Sequence, residues 1–437
     1  MTDSHDAGTR LQGIIRRNRA SDAVGVYGVC SAHPQVLSAA ARESFENRSV
    51  LHVESTSSQV NQFGGYTGQG PMQFANFVLA IAHEAGISND QVLLGGDHLG
   101  PFPWRREPAT IAMEKARALV RECVLSGYQK IHLDASMACA DDSKLKLDEQ
   151  TVADRAADLC ETAESASREL LSHVPPLYVV GTEVPAPGGE AGSEESISVT
   201  AAGHVQSTLD AFERAFHGRG LAHAWERVIG LVVQPGVEFG ERNVFDYHGH
   251  DAKALSAALP DRPELVYEAH STDYQRASSL KKMVEDHFAI LKVGPELTFA
   301  FREAVCALSA IEHEMLRGKS VRLSSVREAL DAAMLRNPSY WQDYYDGDEN
   351  QLRISRFYSY SDRCRYYWHE PELGVEVELL IHNITAFPPP LTLLSQYLPF
   401  EYRAIREGTL QASPLKIIQH HIRSVLHKYA AACGEIK

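Results

Sequence analysis

The stretch VIGLVV at residues 228–233 is a near-continuous apolar run. Such a run is typical of a parallel strand whose sheet is covered by helices on both faces. Seven other short runs rich in β-branched residues alternate with helical stretches along the chain. The eight runs that we predict to be strands are 24–30, 50–54, 92–97, 129–134, 177–183, 228–234, 264–269 and 287–293. Eight strands that alternate with helices predict an α/β fold of the (β/α)8 TIM-barrel type.

A doubly wound sheet would show the same alternation, but it normally carries a glycine-rich phosphate turn after its first strand. Here the first strand is followed by CSAHP at 30–34. The glycine-rich segments GGYTGQG (64–70) and GTEVPAPGGEAG (181–192) match neither nucleotide-binding fingerprint. We therefore expect a barrel without a nucleotide-binding loop.

The region after the eighth strand is predicted to be helical, beginning with a long amphipathic helix at 296–316. We expect a barrel over residues 1–318 that carries the site, and a helical, aromatic-rich extension over 319–437 packed on it. The segment 339–368 has ten aromatic residues in thirty. Such enrichment favours packing or a subunit contact over a ligand cage.

Composition excludes several classes of function. The chain of 437 residues has a formal net charge of −15 and no basic run, which argues against nucleic-acid binding. No stretch of eighteen apolar residues and no signal sequence is present, so we expect neither membrane insertion nor export. The seven cysteines are scattered without CxxC pairs, which favours a reducing, cytoplasmic location.

Polar side chains end all eight predicted strands. Because the carboxyl ends of barrel strands open on one face, these residues should converge there. The residues at these ends are Cys30, His33, Glu54, Asp97, His98, His132, Asp134, Glu183, Gln234, Glu268, His270, Asp273 and Lys292. Burying so many carboxylates is costly without a counter-charge, and a divalent cation would supply one.

We therefore predict a divalent-metal site with His98, Glu183 and His270 as ligands. Imidazole and carboxylate together suit zinc, with manganese or cobalt as alternatives. Gln234 and Asp134 are substitutes for Glu183 as ligand. Strand periodicity also points His132 into the barrel, where a core hydrogen bond is the favoured interpretation.

A metal of this kind can act as a Lewis acid on a ketose during aldol cleavage. The reaction needs a base at the hydroxyl beyond the broken bond, and Asp97, beside His98, is the first candidate. Glu268 and Asp273 flank His270. They are second candidates for the base, or they orient the imidazole.

Several strings resemble the bacterial GatZ/KbaZ family, which is described as the accessory subunit of D-tagatose-1,6-bisphosphate aldolase and is related to class II aldolases. They include VCSAHP (29–34), LLGGDHLGP (93–101), KIHLDAS (130–136), VYEAHSTDYQ (266–275) and SDRCRYYW (361–368), and the resemblance covers nearly the whole chain. In class II aldolases an Asp-His pair supplies the base and a ligand, which Asp97-His98 matches. The His-Gly turn that gives another ligand looks replaced by Gln234-Pro-Gly236, so the third ligand stays open.

The resemblance leaves two functions open. Some members of the family look like D-tagatose 6-phosphate 4-epimerases, which implies cleavage between C3 and C4 and re-addition on the other face of the aldehyde. The alternative is a non-catalytic partner that stabilises a class II aldolase subunit. The oligomeric state is open, and a homo-oligomer is one alternative. The residues expected to hold a small sugar phosphate are Asn61, Gln62, Asp134, Gln234, Ser271, Thr272 and Lys292. A sugar-phosphate kinase is disfavoured because no phosphate loop is present.

Overall fold

The computed structural model of the chain describes residues 6–143, 146–170, 174–182 and 197–436. Its strands in chain order are β1 (Val26–Val29), β2 (Leu51–Thr56), β3 (Val92–Leu99), β4 (Lys130–Leu133), β5 (Leu177–Val180), β6 (Val228–Val232), β7 (Glu238–Phe239), β8 (Val244–Phe245), β9 (Val266–Ala269) and β10 (Ile290–Val293). Eight of them close into a parallel barrel in the order β1-β10-β9-β6-β5-β4-β3-β2. The predicted (β/α)8 barrel is confirmed. The short β7–β8 hairpin was not predicted.

Helices surround the barrel and form the C-terminal region. In chain order they are α1 (Ala7–Arg19), α2 (Pro34–Asn47), α3 (Pro71–Glu84), α4 (Ala109–Leu125), α5 (Glu149–Ser167), α6 (Ala202–Gly218), α7 (Ala222–Trp225), α8 (Lys253–Ala257), α9 (Ala277–Glu285), α10 (Pro295–Leu316), α11 (Val326–Arg336), α12 (Glu349–Tyr358), α13 (Pro371–Ala386), α14 (Leu391–Tyr397), α15 (Pro399–Arg406) and α16 (Pro414–Ala432). None of the helices in the described ranges is long and apolar enough to cross a membrane.

The barrel is closed at its amino end by α1. Leu11 and Ile15 of this helix are buried in one cluster with Val26, Leu93 and Ile290 from the strands. A second core cluster lies between the strands and the outer helices. Burial of both faces explains why the strands read as continuous apolar runs.

The helical extension is packed against the barrel helices. Its last helix, α16, lies against α2, α9 and α10. Its buried side chains, including Ile417 and Leu426, belong to the same core cluster as the barrel residues. The segment that contains two short 3₁₀ helices, at 338–340 and 363–367, lies across the carboxyl end of the barrel. There Tyr274 donates a hydrogen bond to the carbonyl of Tyr360 (2.7 Å).

Candidate metal centre and active-site cavity

The backbone is irregular at the end of β3, where Asp97 and His98 lie. Successive side chains of a strand point to opposite faces, so a regular strand would turn one of this pair out of the barrel. The register between β3 and β4 shifts between Gly96 and Leu99, and His98 has a left-handed φ of 49°. A bulge of this kind re-aims side chains. Both residues therefore face the same group of potential ligands.

Four buried side chains converge beside this bulge. Asp97, His98, His132 and His270 each offer one ligand atom, and these atoms lie within 4.8 Å of one another. His270 Nδ1 is 3.1 Å from His98 Nε2, and His132 Nδ1 is 3.0 Å from Asp97 Oδ1. We call this group the histidine cluster. It brings together two predicted ligands, His98 and His270, with the predicted base.

His132 differs from its expected role. The sequence favoured a core hydrogen bond, and its Nδ1 does lie beside Asp97. Its Nε2, however, is buried and has no hydrogen-bond partner among the described residues. A buried polar atom without a partner is costly, and a metal ion would satisfy it. His132 is therefore a better candidate for a third ligand than the sequence indicated.

Carboxylates outside the histidine cluster hold two of its imidazoles in place. Asp134 Oδ2 lies 2.8 Å from His98 Nδ1, and Glu268 Oε1 lies 3.0 Å from His270 Nε2. Such carboxylates fix the tautomer and orientation of a ligating imidazole. Glu268 thus occupies the orienting position that was one of its two predicted roles. Asp134 contacts a ligand candidate and is buried behind it.

Below the histidine cluster the barrel interior contains a layer of ion pairs. Lys130 Nζ lies 2.8 Å from Glu54 Oε1 and 2.7 Å from Glu268 Oε2. Lys292 hydrogen-bonds Glu54 and lies 3.2 Å from Asp97 Oδ1. All of these side chains are at most 4% exposed. Two lysines therefore supply part of the counter-charge that the buried carboxylates require.

Two glycines make room for this layer. A Cβ atom at Gly28 would lie 2.9 Å from Glu54 Oε1, and one at Gly95 would lie 2.7 Å from Glu54 Cγ. Both distances are shorter than normal carbon contacts, so larger residues at these positions would displace Glu54. The local sequence is thus adapted to hold a carboxylate inside the barrel.

The charges and donor atoms fit a divalent cation. Four carboxylates, those of Glu54, Asp97, Asp134 and Glu268, and two lysines are buried here, which gives a net charge of −2 when the imidazoles are neutral. Burial lowers the pKa of His270 to about 4, so its imidazole is in the neutral, metal-binding form at pH 7. Three imidazoles and a carboxylate are a donor set that suits zinc, manganese or cobalt.

Electrostatics keep the cluster carboxylates ionised. Burial opposes ionisation of Asp97, but Lys292, His98 and His270 hold its pKa well below its usual range. Burial also opposes protonation of His98, yet Asp97 and Asp134 raise its pKa. Asp97 is therefore negatively charged at neutral pH and can accept a hydrogen bond or a proton from a ligand in the cavity.

A cavity of about 460 Å³ opens onto the histidine cluster. Its volume is within the usual range for small-molecule sites. Seven predicted site residues line it, namely Asn61, Asp97, His98, His270, Ser271, Asp273 and Lys292. Cys30 also lines it, with Sγ 3.7 Å from Asp97 Oδ2, a contact that the sequence did not predict.

Other predicted residues have structural contacts away from the cavity. Gln62 donates to a backbone carbonyl of α4 (2.9 Å), and Gln234 accepts from two turn amides at 2.8 and 3.0 Å. Thr272 is fully buried and donates to the carbonyl of Lys292 (2.6 Å). None of the three lines the cavity. Glu183, the predicted third ligand, lies outside the described residues.

Asp273 lines the cavity but serves chiefly as a helix cap. Its Oδ1 accepts hydrogen bonds from the amides of Gly294 (2.9 Å) and Glu296 (2.8 Å) at the start of α10. Burial raises the pKa of this carboxyl to about 7. Its hydrogen bonds do not involve His270, so the predicted role of orienting that imidazole is not supported.

Much of the cavity wall comes from outside the barrel strands. Ser339, Tyr340, Tyr344, Arg363, Arg365 and Tyr366 of the extension line the cavity, as do Arg105 and Arg106 after β3. Tyr66, from the predicted glycine-rich loop, packs edge-on against Tyr366 with ring centroids 4.7 Å apart. The aromatic segment 339–368 therefore forms part of the cavity wall as well as packing on the barrel, whereas the sequence favoured packing or a subunit contact.

The fold and the site together define a (β/α)8-barrel protein with a candidate divalent-metal centre at the carboxyl ends of its strands. The family model described as D-tagatose-1,6-bisphosphate aldolase subunit GatZ/KbaZ-like matches residues 11–434. The chain belongs to this GatZ/KbaZ-like family, as its sequence strings indicated.

One solved structure supports this assignment, and two others are much more distant. The chain is similar to a protein from Sinorhizobium meliloti 1021 described as a probable tagatose 6 phosphate kinase, at 40% identity and a TM-score of 0.86, with 94% of this chain and 100% of that chain covered. The YdjI aldolase from Escherichia coli K12 matches at 11% identity and a TM-score of 0.39, over 85% of this chain and 95% of that chain. A fructose-bisphosphate aldolase from Campylobacter jejuni matches at 13% identity and a TM-score of 0.44, over 87% and 94%. The two aldolases are too distant to bear on function.

Proposed function

We propose that the protein is a metal-dependent 4-epimerase that interconverts D-tagatose 6-phosphate and D-fructose 6-phosphate in the cytoplasm. The observation that carries the proposal is the histidine cluster with Asp97, facing a cavity of sugar-phosphate size. The family description and the description of the S. meliloti relative both support a tagatose phosphate as substrate. A divalent ion held by His98, His132 and His270, most simply zinc, would supply Lewis-acid polarisation of the ketose carbonyl and its neighbouring hydroxyl.

Asp97 is the proposed base. Its carboxylate lines the cavity and is kept ionised by Lys292 and its neighbouring imidazoles. It accepts the proton of the C4 hydroxyl as the C3–C4 bond breaks. The bonding electron pair remains on the C1–C3 fragment, and C4 becomes an aldehyde carbon.

Re-addition completes the reaction. Rotation of the aldehyde presents its other face to C3, the C3–C4 bond forms again, and Asp97 returns the proton to the C4 oxygen. No atom is gained or lost and no carbon is oxidised overall. The step requires that both fragments stay in the cavity, which its walls from the extension favour.

The experiment is to purify the full chain, load it with zinc or manganese, and follow ¹³C-labelled tagatose 6-phosphate by NMR. Asp97→Asn should lower the rate by about 10²–10⁴-fold, as expected for loss of a general base. Asp343→Asn, an exposed carboxylate outside the cavity, is the matched control and should leave the rate unchanged. An unchanged rate in Asp97→Asn would contradict the assignment of the base.

Isotopes test the bond that breaks. In D₂O, cleavage between C3 and C4 leaves the hydrogen on C4 in place, so the product should carry no deuterium there. Incorporation at C4 would instead indicate removal of that hydrogen and would refute the aldol mechanism.

A stabilising subunit for a class II aldolase is the second candidate. The family description names a subunit. Large apolar side chains of the extension, including Val375 and Phe400, are also exposed at 54% and 66%, as a protein contact would require. A fully metallated chain that gives no turnover but raises the melting temperature of a partner aldolase would favour this role over the epimerase. The kinase activity in the description of the S. meliloti relative is not proposed for this chain. The first strand is followed by CSAHP, which is not a phosphate-binding loop.

A further inference from the structure

The cavity is electrostatically polar. The barrel end contributes Asp97 and Asp273, whereas the part of the wall from outside the barrel strands contains four arginines. We call Arg105, Arg106, Arg363 and Arg365 the arginine cluster. Such an accumulation of cations is unexpected in a chain with a net charge of −15, and it gives this wall a local positive potential.

Arg365 is held in place by oxygen atoms that carry no full charge. Its guanidinium donates to the carbonyls of Ser361 and Asp362, the latter at 3.1 Å, and to the hydroxyl of Tyr366 at 2.8 Å. Within the described part of the chain it forms no ion pair with a carboxylate. The cation therefore lines the cavity without a carboxylate partner among the described residues.

Arg363 lies next to it in a nearly dehydrated position. It is 2% exposed, donates to the carbonyl of Tyr340 (2.9 Å), and lies over the ring of Tyr344 with 3.0 Å to the centroid. Burial, with the nearby charge of Arg365, lowers the pKa of its guanidinium. Arg363 is buried and Arg365 is partly buried, and an anion in the cavity would stabilise these adjacent cations.

Two of the residues predicted to hold the sugar phosphate are already occupied. Lys292 faces Glu54, Asp97 and Glu268, and Thr272 donates to a backbone carbonyl. The guanidinium group has a planar fork of donors that matches the oxygens of a phosphate ester. The arginine cluster is thus better suited than the β9 turn to bind the anionic end of a ligand.

We propose that Arg363 and Arg365 bind the phosphate monoester of the substrate at the part of the cavity wall that the C-terminal extension forms. The exposed Arg105 and Arg106 lie at the same wall and attract the anion. The identity of the sugar rests on the proposed function, but the anion site does not. In a C3–C4 cleavage of a ketose 6-phosphate, the phosphate stays on the C4–C6 aldehyde, so these arginines retain the fragment that must rotate.

Direct binding tests the site without turnover. Inorganic phosphate is titrated into the full-length chain by calorimetry, with and without EDTA so that binding to a metal is separated. Arg363→Gln and Arg365→Gln should each weaken binding by about tenfold to a hundredfold, the loss expected for a charge-assisted hydrogen bond. Arg353→Gln, an exposed arginine of the same extension that does not line the cavity, is the matched control.

Variants that keep the fold separate binding from packing. Arg365→Lys keeps the positive charge but loses the planar fork of guanidinium donors. It should bind phosphate more weakly than wild type, although its melting temperature should stay within a few degrees of the wild-type value. The double variant Arg105→Gln/Arg106→Gln changes exposed side chains and should slow phosphate association, more strongly at low salt. Phosphate affinity that is unchanged in folded Arg363→Gln, Arg365→Gln and Arg365→Lys, or no phosphate binding by wild type, would overturn the proposal.

A second measurement follows the released fragment. With tagatose 6-phosphate as substrate, Arg365→Gln should release more free glyceraldehyde 3-phosphate per epimerised product than wild type, by several times. A coupled dehydrogenase measures the released aldehyde. If phosphate binding depends on the arginines but the chain has no epimerase activity, the proposed function is refuted and the anion site is retained. Epimerisation with an unchanged KM and no added leakage in Arg365→Gln would refute the anion site and leave the function standing.

Discussion

Replacement of Lys130 by methionine tests the ion-pair layer inside the barrel. The Lys130 side chain is fully buried, and its ammonium lies between Glu54 Oε1 at 2.8 Å and Glu268 Oε2 at 2.7 Å. Methionine has a similar length and no charge, so packing changes little. The variant leaves two buried carboxylates with Lys292 as their remaining lysine contact.

The expected loss of stability follows from this geometry. Removal of one partner from a buried ion pair costs about 3–5 kcal/mol, because the other charge stays buried without compensation. Unfolding entropy near 2.1 cal/mol/K per residue gives roughly 0.9 kcal/mol/K for 437 residues. The melting temperature of Lys130→Met should therefore fall by about 3–6 °C.

Calorimetry in the presence of a chelator measures this difference without a metal contribution. Lys282→Met is the control, because Lys282 is 50% exposed in an ion pair with Asp286 and should lose less than about 1 kcal/mol. The double variant Lys130→Met/Glu268→Gln removes one of the uncompensated charges and should recover most of the loss. Equal melting temperatures for Lys130→Met and Lys282→Met, or a double variant less stable than the single one, would refute the reasoning.

Three further predictions use other residues. His132→Gln should lower the content of bound zinc or manganese, measured by mass spectrometry after dialysis, whereas metal retained at the wild-type level would exclude His132 as a ligand. Because the pKa of Asp273 is raised to about 7, the stability of the wild type falls as pH rises from about 4 to 7. The melting temperature of Asp273→Asn relative to wild type should therefore be about 3 °C higher at pH 8 than at pH 5. A difference independent of pH would contradict this. Burial lowers the pKa of His421, but hydrogen bonds to Glu303 and Glu401 raise it to about 9. The protonated imidazole therefore stabilises the fold fully below pH 6.5, and this stabilisation is lost as pH rises through 9. His421→Gln should therefore cost about 1–3 kcal/mol at pH 6 and much less at pH 10, and an equal cost at both would be the contrary result.

The barrel was predictable because its strands are short and buried on both faces. Continuous apolar runs such as 228–233 are visible in one sequence. All eight observed barrel strands lie inside the predicted bounds or extend at most two residues beyond them. LHVES, the second run, continues to Thr56 as β2. The β7–β8 hairpin escaped prediction because two-residue strands carry no periodic signal.

The site was only partly predictable, because several of its features depend on three-dimensional geometry. Strand alternation alone would separate Asp97 from His98, and the bulge that joins them follows no simple sequence rule. Lys130 precedes His132 by two residues, so both side chains point to the same side of β4. This alternation could have placed Lys130 inside the barrel from the sequence alone. Arg363 and Arg365 come from more than 250 residues beyond Asp97, and their approach to the cavity depends on how the extension packs.

The polarity of the cavity also bears on how many phosphates its ligand carries. The arginine cluster belongs to the part of the wall outside the barrel strands, whereas the barrel end contains Lys292, which already faces Glu54, Asp97 and Glu268. A second phosphate placed there would add two negative charges beside buried carboxylates whose pKa values are already held low. Such like charges repel strongly where water is excluded. If the arginines hold the 6-phosphate, the same charge arrangement therefore favours a ketose monophosphate with an uncharged C1 hydroxyl over a 1,6-bisphosphate.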